Sequence, residues 1–150
     1  MYIRTRINSM IDITTVPFNK LLGISIANNA EYLLQLDAKE EYMNHLGTVH
    51  AAALFTLAEG SGAQLLLKSF PVEIIDNVIP VLRKVEVSYK KPAMGIIVST
   101  ASLKDTTIEL VTEQLLSKKR VSIVTPVDLF DESKTKVFSA NFEWFVVLKN

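Results

Sequence analysis

The stretch Asn44-His45-Leu46-Gly47-Thr48-Val49-His50-Ala51-Ala52-Ala53-Leu54-Phe55-Thr56-Leu57-Ala58-Glu59-Gly60-Ser61-Gly62 decides how the rest of the chain must be arranged. From Thr48 to Ser69 the residues are strong helix formers, and their apolar positions (Ala51 to Phe55, Leu57-Ala58, Ala63, Leu65 to Leu67) cover nearly the whole circumference. A helix that is apolar all round is buried all round. The remaining chain therefore has to supply a surface that wraps it.

Outward from this helix the pattern changes to strands. On the N-terminal side, Asn8 to Lys20 reads as a helical lead-in stopped by Pro17. Leu22 to Ala27 and Glu31 to Asp37 read as a hairpin around Asn28-Asn29, since Asn tolerates positive φ. On the C-terminal side, Val81 to Lys90 alternates with a period of two. Pro92 and Gly95 mark a turn, and Ile96 to Lys104 continues as a strand. Asp105 to Ser117 reads as a helix, with Thr106 and Glu109 as a capping box and Ile108, Val111, Leu115 and Leu116 as its stripe. Arg120 to Phe130 and Val137 to Leu148 are the last strands, joined by Asp131 to Lys134. Phe138, Ala140, Phe142, Trp144, Val146 and Leu148 share one face. Pro126 places its strand at an edge or at a bulge. The order predicts an α+β fold, an antiparallel sheet wrapped around a long central helix, in one domain spanning residues 1–150.

Composition bounds the function. Sixteen basic residues balance sixteen acidic ones, which gives no electrostatic case for nucleic acid or a membrane surface. Arg83, Lys84, Lys90 and Lys91 are candidates to hold phosphate groups, and solvated strand-face charges are the reading favoured over that one. The chain has no cysteine, so disulfides, cysteine-ligated zinc and thiol nucleophiles are excluded, and no metal or cofactor is expected. No apolar run suits a signal peptide or a membrane span, so a soluble cytoplasmic protein is expected. The apolar share of 49% is high for a small domain and suggests surface buried between subunits.

Chemistry gathers at the head of the helix. Asn44, Gly47 and His50 recur every three residues, and Glu59 is a carboxylate inside an otherwise apolar helix. Burying it raises its pKa and costs free energy unless it is paired. In the functional reading, free amides around Ala51 and Ala52, at the positive end of the helix dipole, hold a carbonyl oxygen as charge develops. Glu59 then attacks the carbonyl or activates water, and Leu46 and Val49 supply apolar wall. Each residue also has a structural reading. Glu59 at a subunit interface can be satisfied by backbone or by Ser61, and His50 can cap the helix or pack. Asn44 and Gly47 can be turn residues, Gly47 with positive φ. Ala51 and Glu59 lie eight residues apart, about 12 Å along one helix. One carbonyl cannot easily reach both, so a complete site requires a second subunit's helix.

The run from Asn44 to Glu59 resembles the signature of hotdog-fold thioesterases of the phenylacetate-pathway type. Those proteins show Asn, Gly three later, His-Gly-Gly, and an acidic residue eight after the first of those glycines. Arg83, Val85 to Tyr89 and Lys91-Pro92-Ala93 resemble a second landmark of the family, a strand ending in Tyr-x-x-Pro-Ala. The likeness covers roughly Leu21 to Leu148. It implies the hotdog fold and an acyl-CoA thioesterase activity, with acyl-CoA or another acyl thioester as partner and a homodimer or homotetramer as the assembly. It also implies Glu59 as base or nucleophile, the Ala51 amide of the opposing subunit as oxyanion donor, and Asn44 and His50 orienting the thioester. Gly47, Leu46, Val49, Ala52 and Ser61 complete the expected substrate-binding set. Here His-Ala-Ala replaces His-Gly-Gly: alanine keeps the N–H, while its methyl narrows the approach. A binding module that shelters an acyl thioester without turnover is the alternative from another class. The His and carboxylate arrangement of dehydratases on this fold is not found.

Overall fold

The computed structural model describes residues 12–150. Its elements are α1 (Pro17–Leu22), β1 (Ser25–Ile26), β2 (Leu34–Asp37), α2 (Ala51–Ser69), β3 (Val78–Tyr89), β4 (Ile96–Ala101), α3 (Ile108–Lys118), β5 (Arg120–Phe130) and β6 (Lys136–Leu148). One antiparallel six-stranded sheet, in the order β1-β2-β4-β5-β6-β3, curls around α2. This is the expected α+β wrap.

The inward face of β6 is the predicted one: Phe138, Ala140, Phe142, Trp144, Val146 and Leu148 are all buried. Leu57 and Leu66 of α2 are fully buried against the sheet. Each contributes roughly 1.5–3 kcal/mol by leaving water. Gly62 lets the helix lie this close. A Cβ there would stand 2.7 Å from Thr125 Oγ1, whose hydroxyl already accepts from Trp144 Nε1 at 2.9 Å. Ser61 Oγ donates to Leu57 O and shares a hydrogen bond with Ser99 Oγ, which contacts the backbone of Leu34, so α2 is pinned to β4 and β2.

Several boundaries differ from expectation. Pro17 opens α1 rather than stopping a helix, because the first helical position has no N–H partner to lose. Residues 8–11 of that predicted lead-in lie outside the described residues. Leu22 ends α1 and Gly23 caps it at φ +72°, which leaves only Ser25–Ile26 as strand, and β2 starts at Leu34. The cap of α3 is Thr107, not Thr106, with Thr107 Oγ1 accepting from Leu110 N. Leu116 of the expected stripe is 47% exposed. Pro126 sits in an interior strand, contrary to the edge assignment. It is tolerated because its carbonyl accepts from Ser102, just past the end of β4. The two backbone groups of a strand residue point to the same neighbour, so the missing N–H falls where that ladder stops.

The sheet has two unequal free edges. β1 offers two residues, whereas β3 offers twelve. Bonds from Lys149 N to Asn77 O and from Lys90 N to Val137 O fix the phase of the β3–β6 ladder on either side of a bulge between Leu82 and Lys84. With that phase, Glu86 and Ser88 bond to β6, and Pro80, Val85, Val87 and Tyr89 turn their backbone groups outward. Pro80, lacking an N–H, blunts the first half of this edge, and the second half is left open. Among the described residues no helix is long and apolar enough to cross a membrane.

Candidate active site

The loop entering α2 is built by Asn44. Its Oδ1 accepts from Leu46 N (2.9 Å) and Thr48 N (3.1 Å), and its Nδ2 donates to Thr48 Oγ1 (3.0 Å). Gly47 closes the turn by donating to Asn44 O at φ +70°, a conformation suited to glycine. Asn44 and Gly47 thus take the structural roles open to them, shaping the loop. Val49 N donates to Ala93 O, and His50 N donates to Tyr42 O, so the Pro92-Ala93 turn fixes where α2 begins.

His50 is the N-cap. Its Nδ1 accepts from Ala52 N at 2.9 Å, and its carbonyl accepts from Ala53 and Leu54. An accepting Nδ1 in a neutral ring leaves the proton on Nε2. The Ala52 amide is therefore taken, while the Ala51 amide has no partner among the described residues. Both alanines are exposed. Tyr89, whose ring meets Phe138 edge-on at 5.2 Å, donates to Ala51 O at 3.3 Å. Burial raises the Tyr89 phenol above its ordinary value, which keeps it a donor.

α2 is not covered all round. Ala51, Ala52, Phe55 and Glu59 form a stripe along it that stays exposed or half-buried. Glu59 has no hydrogen bond or ion pair among the described residues, and desolvation by burial raises its pKa from 4.5. Phe55 packs edge-on against Phe142, at 5.6 Å between centroids.

Two residues expected at the site lie elsewhere. Ser61 is fully buried and bonded to Leu57 and Ser99, so it does not satisfy Glu59. Val49 is a core residue at 3% exposure rather than a wall of the site. Leu46 is 72% exposed at the loop tip. Sequence reasoning missed Tyr89 as a neighbour of the helix head, because a strand-end tyrosine thirty-eight residues away carries no signal of that contact. No group of three or more His, Asp or Glu side chains placed to hold a metal occurs among the described residues.

A long buried helix wrapped by this sheet defines the hotdog class, and comparison with solved structures agrees. A probable thioesterase from Pseudomonas aeruginosa superposes with a TM-score of 0.76 at 22% identity, covering 91% of each chain. A thioesterase from Haemophilus influenzae gives 0.69 at 16% identity, over 91% of this chain and 86% of that one. A hypothetical thioesterase with coenzyme A from Streptococcus pneumoniae gives 0.60 at 17%, over 85% and 88%. No curated protein matches. The chain belongs to the family described as "Domain of unknown function (DUF4442)", matched over residues 5–146.

Proposed function

We infer that the protein is a thioesterase that hydrolyses an acyl-CoA or related acyl thioester at a site shared by two copies of the chain. The observation that carries this reading is the presence, on one uncovered stripe of α2, of an Ala51 amide and a Glu59 carboxylate that have no partner among the described residues. The amide points out of the positive end of a nineteen-residue helix, where it stabilises negative charge growing on a thioester carbonyl oxygen. Glu59 of the second copy takes a proton from water as the water oxygen bonds to the carbonyl carbon. The C–S bond then breaks, and the thiolate leaves to be protonated to the free thiol. A carboxylate whose proton affinity is raised by burial is the better base. His50 keeps the Ala52 amide occupied and presents Nε2–H outward.

The second copy is supported by the open half of β3. Val85, Val87 and Tyr89 offer N–H and C=O groups, unpaired among the described residues, that a two-fold-related β3 can match about Val87. A structure with coenzyme A is known for the S. pneumoniae neighbour, which suits acyl-CoA as the substrate class. The test is a panel of acyl-CoAs with free-thiol detection. Thiol release above background that is lost in Glu59→Gln supports the reading. Tight acyl-CoA binding with no release supports the sheltering module instead.

A further inference from the structure

Beside the helix head, between α1 and the first turns of α2, lies a cavity of about 170 Å³. Phe18, Leu22, Ala53 and Thr56 wall it, and His50 and Ala52 connect it to the site described above. The hydroxyls at its wall face away from any occupant. Thr56 Oγ1 donates to Ala52 O at 2.8 Å, and the Tyr42 hydroxyl donates to Leu22 O at 2.6 Å. Apart from the exposed side chain of Glu41, what remains of the lining is mostly carbon, and Phe18 is 59% exposed on the short helix that forms the outer wall. A mostly apolar cleft reached past a few polar groups is the usual form of a small-molecule site.

We propose that this cavity receives the acyl group and limits it to short apolar chains. The proposal rests on the thioesterase reading for the head group and goes further by fixing the size of the tail. The cavity's 170 Å³ is close to the roughly 150 Å³ apolar cavity that takes up benzene, so it suits an occupant of about six carbons. The occupant enters past Ala52, so its carbonyl is left beside the Ala51 amide. Longer chains project past Phe18 into solvent and gain nothing from their added length.

The test uses non-hydrolysable alkyl-CoA thioethers from two to twelve carbons, titrated calorimetrically against the full-length protein, beside hydrolysis of the matching thioesters. Affinity is expected to tighten about fourfold per added methylene, as burial of one CH₂ gives, up to about six carbons and then to level. Phe18→Ala and Leu22→Ala, which open the outer wall, are expected to move the levelling point to longer chains. Circular dichroism checks that both variants are folded. Affinity indifferent to chain length, no thioether binding, or an unchanged levelling point in both folded variants overturns the proposal. Hydrolysis with no chain-length preference would sink the cavity assignment and leave the thioesterase reading standing. Length-limited thioether binding without thioester hydrolysis would do the reverse.

Discussion

The Ala52 amide donates to His50 Nδ1 at 2.9 Å, and this one bond separates the capped Ala52 amide from that of Ala51, which has no partner among the described residues. Removing the acceptor therefore has a thermodynamic signature. His50→Ala is expected to lower stability by about 1 kcal/mol, as loss of an N-cap does, or roughly 2–4 °C in Tm for a chain of this size. His50→Ser, which restores a cap acceptor, is expected to recover most of it. Equal stability of all three proteins by thermal unfolding would show that the imidazole is not the cap.

Glu59 predicts a pH dependence. Burial raises its pKa from 4.5 in the folded chain by disfavouring the charged form. The stability it contributes is full below the unfolded pKa and is lost as pH rises through the raised folded value. Glu59→Gln stays neutral throughout and escapes that loss. The variant should match the native protein at acidic pH, gain on it as pH climbs from the unfolded to the folded value, and run parallel above that. Urea unfolding across a pH series measures the gap, and a gap that shrinks with rising pH would contradict the assignment.

Gly62 tests how closely α2 and the sheet approach. A methyl there meets the Thr125 hydroxyl at 2.7 Å, beneath the Trp144 ring. Gly62→Ala should cost about 1–3 kcal/mol from overpacking, despite alanine's better helix propensity. A variant as stable as the native chain in urea unfolding would show that the contact relaxes freely.

The open edge of β3 separates two proline substitutions that sequence treats alike. Val87 turns its N–H outward, so Val87→Pro should keep the β3–β6 ladder yet reduce the assembly to monomers in light scattering and abolish turnover. Glu86 pairs with Asn141 with its N–H inward, so Glu86→Pro should break the ladder and unfold the chain. A Val87→Pro protein that stays oligomeric and active would place the interface elsewhere.

The central helix, the sheet around it and the buried face of β6 were legible because their periodicity is long and unbroken. Short features were not. Pro17 reads as a stop or as a start depending on which side the helix lies, and only the fold places α1 after it. Thr106 and Thr107 offer the same cap chemistry one residue apart. At the site, the types of Glu59, Ala51 and His50 flagged the helix head, but Ser61 misled. A serine two residues from a glutamate faces about 200° away on a helix, and here that direction is the core. The partition between the Ala51 and Ala52 amides depends on an imidazole rotamer, which no spacing reveals.

The most direct measurement is steady-state acyl-CoA hydrolysis by the native protein and by Glu59→Gln, each shown to be folded and oligomeric. General-base catalysis of this kind is worth about 10²–10⁴ in rate. The account predicts thioester turnover by the native protein and a fall of at least about a hundredfold in kcat for the variant. Turnover retained in full by Glu59→Gln would contradict it.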